Sequence, residues 1–371
     1  MENKHLPFYY KTHEKNDNGG FPKVLPFYLY FDKELKLLRQ KSTESLISVL
    51  KNVYLQGSLV DGSVSSESGF HYVNPLMKYI LSNINLNKDS KILEIGFGEG
   101  NFLSAFNSLG IKNLTGIEPG NHNVVSGLEE VNLISDFYPS NKFNDKVDLI
   151  FHCLVLEHIE DPFEFLILQK LQLKEDGKII FFVPNEEPYL MSGDYSSFIH
   201  EHFNFFTQES IFLLIKKMGM FIHDISIIGG LIAVTIGLNK SEYFQYIKGY
   251  NFDFQIFLKK AEFNLHKVSK FINEFKDISD LVLYVPGRAL NFMYLVNCFG
   301  PRLVDDSKDV QGKFLPFFEN AIESFDSLLH KPPKTILIFS RTFGEKIRDK
   351  CESFSQLKEC RCLLIEDLLD E

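Results

Sequence analysis

Tryptophan is absent from the 371 residues, and cysteine occurs only at Cys153, Cys298, Cys351, Cys360 and Cys362. An odd, scattered set of thiols argues against a disulfide framework. Cys360-x-Cys362, with Cys351 nearby, has neither a paired C-x-x-C nor a well-placed fourth ligand, so no zinc site is expected there. The chain also lacks a run of Lys and Arg, and its net charge is −10. That excludes the basic patch with which proteins grip nucleic acid. No stretch reaches the ~18 apolar residues needed to span a bilayer, and Met1 to Tyr10 holds no continuous apolar run. A soluble, cytoplasmic protein without a membrane partner is expected, its oligomeric state left open by the sequence. What the chain has in excess is phenylalanine, 37 residues of it, read as core filler without functional weight.

The length suffices for two or three domains, and no repeat of solenoid period is present. Residues 1–73 read as an irregular and helical N-terminal segment, with a turn-rich break from Asn16 to Gly20. Helical periodicity runs from Phe31 to Leu55 through Leu35, Leu38, Leu46 and Leu50. A Gly/Ser-rich loop follows at 56–71, then a short helix from Asn74 to Ile84. From Lys91 short apolar strands alternate with helices: Ile92–Ile95, Leu114–Ile117, Val147–Phe151 and Lys178–Val183 are expected strands. A helix over Gln208–Met218 should be capped by Thr207, and Phe221–Ile228 with Leu231–Leu238 should form a hairpin about Gly229-Gly230. This rhythm predicts parallel βαβ units in a sheet covered on both faces. The expected order is an α/β Rossmann-like domain over 74–239, a helical linker over 240–279, and a second, smaller Rossmann-like α/β domain over 280–371.

The most informative motif is Lys91-Ile-Leu-Glu94-Ile-Gly96-Phe-Gly98-Glu-Gly100-Asn101, a buried strand entering a glycine-rich turn that opens a helix. The glycines let the backbone approach a ligand. The dinucleotide fingerprint would need glycine where Asn101 stands. Glu94, two residues before the first glycine, suits a cationic ligand and would repel a pyrophosphate. Glu118, in Thr115-Gly-Ile-Glu118-Pro119, lies where an acid can accept both ribose hydroxyls. The ligand expected from these residues is S-adenosylmethionine, bound by Glu94, Gly96, Gly98, Gly100, Glu118 and Pro119. Asp136 is a candidate for the adenine amino group, and equally a solvated loop acid.

A second cluster is Phe198-Ile-His200-Glu201-His202-Phe203-Asn204-Phe205-Phe206-Thr207, reached from the end of a strand through Val183-Pro184-Asn185. Two imidazoles and a carboxylate can move a proton near neutral pH. No third ligand stands beside His200 and His202, so no metal is expected.

Two stretches strengthen the assignment by resemblance. Val147-Asp-Leu-Ile-Phe-His-Cys153-Leu154-Val-Leu-Glu157-His158-Ile-Glu-Asp161-Pro162 resembles the fourth-strand motif of class I S-adenosylmethionine-dependent methyltransferases, which implies that Cys153 and Leu154 flank the cofactor. Leu173-Lys-Glu-Asp-Gly177 resembles the turn into their fifth strand. His200-Glu-His-Phe-Asn-Phe-Phe-Thr is similar to the "H-E-H-x-x-(Y/F)-F" segment of the nucleotide-sugar C-methyltransferases. Leu303-Val-Asp305-Asp306 to Gln311-Gly312-Lys313-Phe-Leu-Pro316 is similar to a "V-D-D-x-x-x-K-Q-G-x-x-x-P" segment of their C-terminal domain.

That resemblance implies methyl transfer to a carbon beside the ketone of a nucleotide-linked sugar, in the service of polysaccharide or glycosylated-metabolite biosynthesis. His202 would be the base, with Glu201 and His200 as neighbours. Tyr195, Asn185, Arg288 and Asn291 would face the acceptor, Arg288 offering a cation to phosphate. The alternatives are an O- or N-methyltransferase on a sugar or other small metabolite, and a non-catalytic cofactor-binding scaffold. The chain departs from the family in three places. It has no cysteine before Cys153 and hence no zinc module there. It has Ile199 where relatives carry tyrosine, leaving Tyr195 or Tyr189 as replacements. It has Ala289-Leu290 before Asn291 in place of a Lys-Gly pair.

Overall fold

The computed structural model describes residues 2–9, 11–14, 18–56, 67–120, 126–240 and 252–369. Parts of the expected turn at 16–17, the Gly/Ser-rich loop at 57–66 and the start of the expected linker at 241–251 lie outside the described residues. Two compact units are present, each built from segments distant in sequence. The larger takes Leu29–Glu187 and Glu201–Asn251, and the smaller takes Met1–Tyr28, Pro188–His200 and Phe252–Glu371.

The larger unit is organised by a seven-stranded sheet: β1 Lys91–Ile95, β2 Asn113–Glu118, β3 Asn132–Ser135, β4 Val147–Cys153, β5 Leu173–Pro184, β6 Phe221–Ile228 and β7 Leu231–Gly237. Their order across the sheet is β6-β7-β5-β4-β1-β2-β3. The first five run parallel, with Glu94 opposite Gly116 on one side and Phe151 on the other. The β6–β7 hairpin adds the antiparallel edge, Leu231 pairing with Pro184. Alternate residues enter two separate cores. Ile179, Phe181 and Val183 join Leu93 and Ile150 on one face. Ile180 and Phe182 join Ile92, Leu149 and Phe151 on the other. Burial on both faces accounts for continuous apolar strands without polar alternation. The order reverses between β1 and β4, and a sheet of this kind opens a crevice at that point, beyond the strands' carboxyl ends.

Helices start where the local chemistry allows. Thr207 caps Gln208–Lys217, its side chain accepting from the Ser210 amide while Ser210 returns a bond. Asp161 caps Pro162–Gln172, with proline in the first turn. The segment before Glu44 differs from its expected helical form. Leu37–Gln40 is a strand pairing antiparallel with Leu29–Asp32, and the helix spans only Glu44–Leu55 behind the Thr43 cap. The strand Val24–Asp32 shows why: Leu25, Phe27 and Leu29 are buried while Pro26, Tyr28 and Tyr30 are not, a period of two.

The smaller unit holds a five-stranded, all-parallel sheet: β8 Leu281–Tyr284, β9 Arg302–Val304, β10 Ile322–Glu323, β11 Thr335–Ile338 and β12 Arg361–Leu364, in the order β10-β9-β8-β11-β12. Helices Pro286–Leu295 and Gly344–Glu352 follow β8 and β11. This is the second Rossmann-like sheet expected from the sequence.

Among the described residues, no helix is long and apolar enough to cross a membrane.

Candidate cofactor and acceptor site

At the reversal of strand order in the larger unit lies a cavity of about 420 Å³, within the usual range for a small-molecule site. The turn after β1 builds one wall. Gly96, Gly98 and Gly100 all have positive φ, at 73°, 51° and 85°. At Gly96 the need for glycine is also spatial, since a β-carbon would stand 2.5 Å from Val155 Cγ2. Gly100 caps the helix Asn101–Ser108. Glu118, at the end of β2, accepts from the Gly120 amide at 3.0 Å through one oxygen and from the Gly98 amide at 3.4 Å through the other. Its carboxylate is thereby fixed at the mouth of the glycine turn.

Glu94 lines the same cavity and is 2 % exposed. Its Oε2 is buried without a hydrogen-bond partner among the described residues. Burial, reinforced by the nearby Glu118 charge, pushes its carboxyl well above the ordinary range. Burial thus disfavours a charge on this carboxyl, and a cationic ligand in the cavity would favour it. The glycine cradle, the fixed ribose-type acceptor and this acid together fit S-adenosylmethionine.

The cavity gathers many of the sequence candidates: Glu94, Gly96, Gly98, Glu118, Pro119, Cys153 and Leu154 all line it. Asp136 does not. Its carboxylate accepts from the Phe137 amide and the Ser140 hydroxyl, and its neighbours Phe137 and Tyr138 line the wall instead. Asn185 also lies outside the lining, its side-chain oxygen accepting from the Glu187 amide.

The opposite wall was not legible as a site. It comes from helix Glu44–Leu55, which presents Ile47, Leu50, Lys51 and Tyr54, one face at helical spacing. The remaining wall comes from the turn after β4 and includes His158.

His158 is the imidazole that lines the cavity. Its Nδ1 lies 3.0 Å from the backbone oxygen of Glu201. A carbonyl only accepts, so Nδ1 carries the proton and the neutral ring keeps its lone pair on Nε2. Burial lowers its pKa to about 4, so the ring is neutral at pH 7. His202 stands behind it, the ring centroids 4.9 Å apart and edge to face. His202 is 7 % exposed and lies outside the lining, and its backbone oxygen accepts from Gln40 Nε2 at 3.1 Å. Glu157, 1 % exposed, places Oε1 4.0 Å from His158 Nε2. Neither Glu157 oxygen has a hydrogen-bond partner among the described residues. Burial first, then the Glu186 and Glu201 carboxyls, push Glu157 well above the ordinary carboxylate range.

The other acceptor-site candidates belong to the smaller unit. His200 is wedged against Phe8 and Phe27, its Nε2 3.2 Å from the Leu25 backbone oxygen. Tyr195 is 2 % exposed and packs on Phe198, Phe257 and Phe292. Asn291 donates to the backbone oxygens of Tyr195 and Phe198 at 2.9 and 2.6 Å, clamping that turn. Arg288 lies in the first turn of Pro286–Leu295.

Residues 70–222 match a family model described as a methyltransferase domain. Solved structures similar to the chain include a complex of the Haloferax volcanii Trm112 methyltransferase activator with a methyltransferase (13 % identity, 48 % of this chain and 97 % of that one, TM-score 0.41). Another is an S-adenosylmethionine-dependent methyltransferase from Listeria monocytogenes (13 % identity, 44 % and 98 %, TM-score 0.37). A third is the plantazolicin methyltransferase BpumL with a desmethyl substrate analogue and S-adenosylhomocysteine (18 % identity, 52 % and 88 %, TM-score 0.37). No curated protein matches the chain.

Proposed function

We propose that the chain, whose residues 70–222 match a methyltransferase-domain model, is a class I S-adenosylmethionine-dependent methyltransferase of a small acceptor, specifically of a carbon beside the ketone of a nucleotide-linked sugar. The observation that supports the reading is the neutral His158 ring, which lines the same cavity as the glycine turn, Glu94 and Glu118 while its Nδ1 is held by the Glu201 backbone oxygen. Carbon is not nucleophilic until a proton leaves it, so methylation at carbon requires a base beside the acceptor. Bound S-adenosylmethionine supplies an electrophilic methyl group on a sulfonium.

The residues of this chain do the rest. Glu118 and the glycine turn hold the nucleoside part, and Glu94 complements the positive charge. His158 takes the proton. His202, the base expected from the sequence, packs edge to face against that ring and holds its orientation. The sugar assignment draws its support from the His200–Thr207 and Leu303–Pro316 motifs.

The test is turnover of nucleoside-diphosphate keto-sugars in D2O, read by mass spectrometry. Methylation at carbon, with deuterium entering the carbon beside the ketone, is expected for the native enzyme and lost in His158→Ala and His202→Ala. A product methylated on oxygen or nitrogen, formed without exchange, would refute the carbon assignment and leave the methyltransferase itself standing.

A further inference from the structure

The expectation of no metal turned on His200 and His202 having no third ligand beside them in the sequence. The fold separates those two histidines and gives His202 other company. His200 belongs to the smaller unit, whereas His202 lies in the larger one with Glu157 and His158. One ligand atom from each of Glu157, His158 and His202 lies within 4.8 Å of the other two. Glu157 and His158 are neighbours in the 3₁₀ turn Leu156–His158. Two bonds fasten that turn to the segment carrying His202. The Phe203 amide donates to the Glu157 backbone oxygen at 2.8 Å, and His158 Nδ1 donates to the Glu201 backbone oxygen at 3.0 Å. The three side chains are thus brought together by backbone contacts that need no ion.

Each contact around them suits a metal. Glu157 is 1 % exposed, and neither of its carboxylate oxygens has a hydrogen-bond partner among the described residues. A buried polar group left so costs free energy that a bound cation would recover. The Glu186 and Glu201 carboxyls act on Glu157 from nearby and add to the negative potential. The bond from His158 Nδ1 to a backbone carbonyl is the outer contact that metal-bound histidines almost always make, because it fixes the tautomer and leaves Nε2 to the ion. Glu157 Oε1 is 4.0 Å from that Nε2. This is too long for a hydrogen bond and near the ~3.4 Å between two ligands that each stand about 2.1 Å from a tetrahedral ion.

We propose that Glu157, His158 and His202 bind one divalent transition metal of the zinc type. Two imidazoles and a carboxylate are a zinc ligand set that leaves the fourth position open, whereas magnesium and calcium call for oxygen ligands. The fourth position falls to a small ligand entering from the cofactor cavity, which His158 lines. The site stands without the carbon-methylation reading, and only its effect on turnover rests on that reading. The two meet at Nε2 of His158. An ion that takes this lone pair denies it to the acceptor proton, so bound metal is an off state of the base.

Metal-stripped native protein is titrated with Zn2+ by calorimetry and separately with Co2+, whose visible absorption reports four-coordinate geometry. One equivalent of each should bind. His202→Ala and Glu157→Gln should weaken Zn2+ binding at least about 100-fold, the upper end of what loss of an outer-shell partner alone costs. Both should keep native affinity for S-adenosylhomocysteine, which marks them as folded. His266→Ala, at an exposed position of the helix Phe254–Ile272, should bind Zn2+ as the native protein does. Failure of native protein to bind Zn2+, a Co2+ spectrum of hexa-aquo type, or equal affinity in the two site variants would overturn the site. Mg2+ competing on equal terms with Zn2+ would overturn the transition-metal assignment. With S-adenosylhomocysteine and a nucleoside-diphosphate keto-sugar in D2O, Zn2+ should stop exchange at the carbon beside the ketone and a chelator should restore it. Exchange undiminished by bound Zn2+ would overturn ligation through His158 Nε2. Absence of exchange in chelator-treated protein would instead sink the carbon-methylation reading and leave the metal site standing on its binding data.

Discussion

Gly96 and Val155 meet so closely that a single β-carbon on the glycine would stand 2.5 Å from Val155 Cγ2. The first belongs to the turn after β1 and the second to the turn after β4. Their contact sets how near two loops of the cavity approach each other. Gly96 also has φ of 73°, a region that costs an L-residue about 1–2 kcal/mol.

Gly96→Ala should therefore lower the stability of the larger unit by about 2 kcal/mol or more, and should widen the cofactor cavity. Chemical denaturation would show the first effect and calorimetry with S-adenosylhomocysteine the second. Retention of native affinity would mean that the two loops do not grip the ligand.

Glu118 and Glu94 make separable predictions. Glu118 is held by two backbone amides, so its position does not depend on the ligand. Glu118→Ala should fold and should weaken cofactor binding about 10- to 100-fold, the value of hydrogen bonds to a charged group. Glu94→Gln removes a buried acid whose Oε2 lacks a partner among the described residues. It should weaken binding of S-adenosylmethionine more than of neutral S-adenosylhomocysteine, because only the former carries the sulfonium charge. Equal losses for both ligands would show that Glu94 reads shape and not charge.

The pH dependence of stability has an identifiable source in His152. The ring is fully buried and stacked on Phe181, the planes 8° apart. Burial lowers its pKa to about 3, against the opposing effect of the neighbouring Gln169 side chain. The unfolded chain titrates this group near 6.5, so below that pH the unfolded state binds the extra proton. Stability is then intact above about pH 6.5 and falls as the pH drops toward 3. Glu94 and Glu157 act in the opposite sense, because their raised values favour the protonated folded form. His152→Leu isolates the imidazole: between pH 7 and pH 5 the native protein should lose about 2 kcal/mol relative to the variant. Parallel pH profiles for the two proteins would refute the assignment.

The glycine-turn side of the cavity was legible because it is local. Glu94, Gly96, Gly98 and Glu118 lie within one βαβ unit, where spacing along the chain fixes spacing in the fold. The opposite wall was not. Tyr54 reaches the cavity from a helix nearly forty residues before β1, and no periodicity announces which residue it will oppose. His158 was visible within the fourth-strand motif, yet only the structure distinguishes it from His202, which lies behind it. The division into units was hidden for the same reason: Pro188–His200 belongs to the smaller one and Glu201 to the larger. That boundary falls inside the very motif that read as a single cluster. Strand β12 was missed although Cys362-Leu-Leu-Ile365 is apolar: the run is only four residues long, and it passes directly into the helix Ile365–Leu369.

Within the smaller unit, Asp194 and Arg341 form an ion pair whose loss should be felt far more than that of a surface pair. Arg341 Nε lies 3.0 Å from Asp194 Oδ2, with the acid side chain 0 % exposed and the arginine 15 %. Asp194 also accepts from the Ser196 amide, and Arg341 donates to the Ser192 hydroxyl. The pair thus ties the 3₁₀ turn Tyr195–Ser197 to the residues that follow β11. Arg341→Ala leaves a buried carboxylate without its countercharge, a change that costs about 3–5 kcal/mol in comparable settings. Replacing both residues, as Asp194→Asn with Arg341→Met, removes the charge as well as its partner and should recover a large part of that loss. Urea denaturation of the two variants decides the matter. If the single variant falls by less than about 1 kcal/mol, the pair is solvated in solution and does not hold the turn.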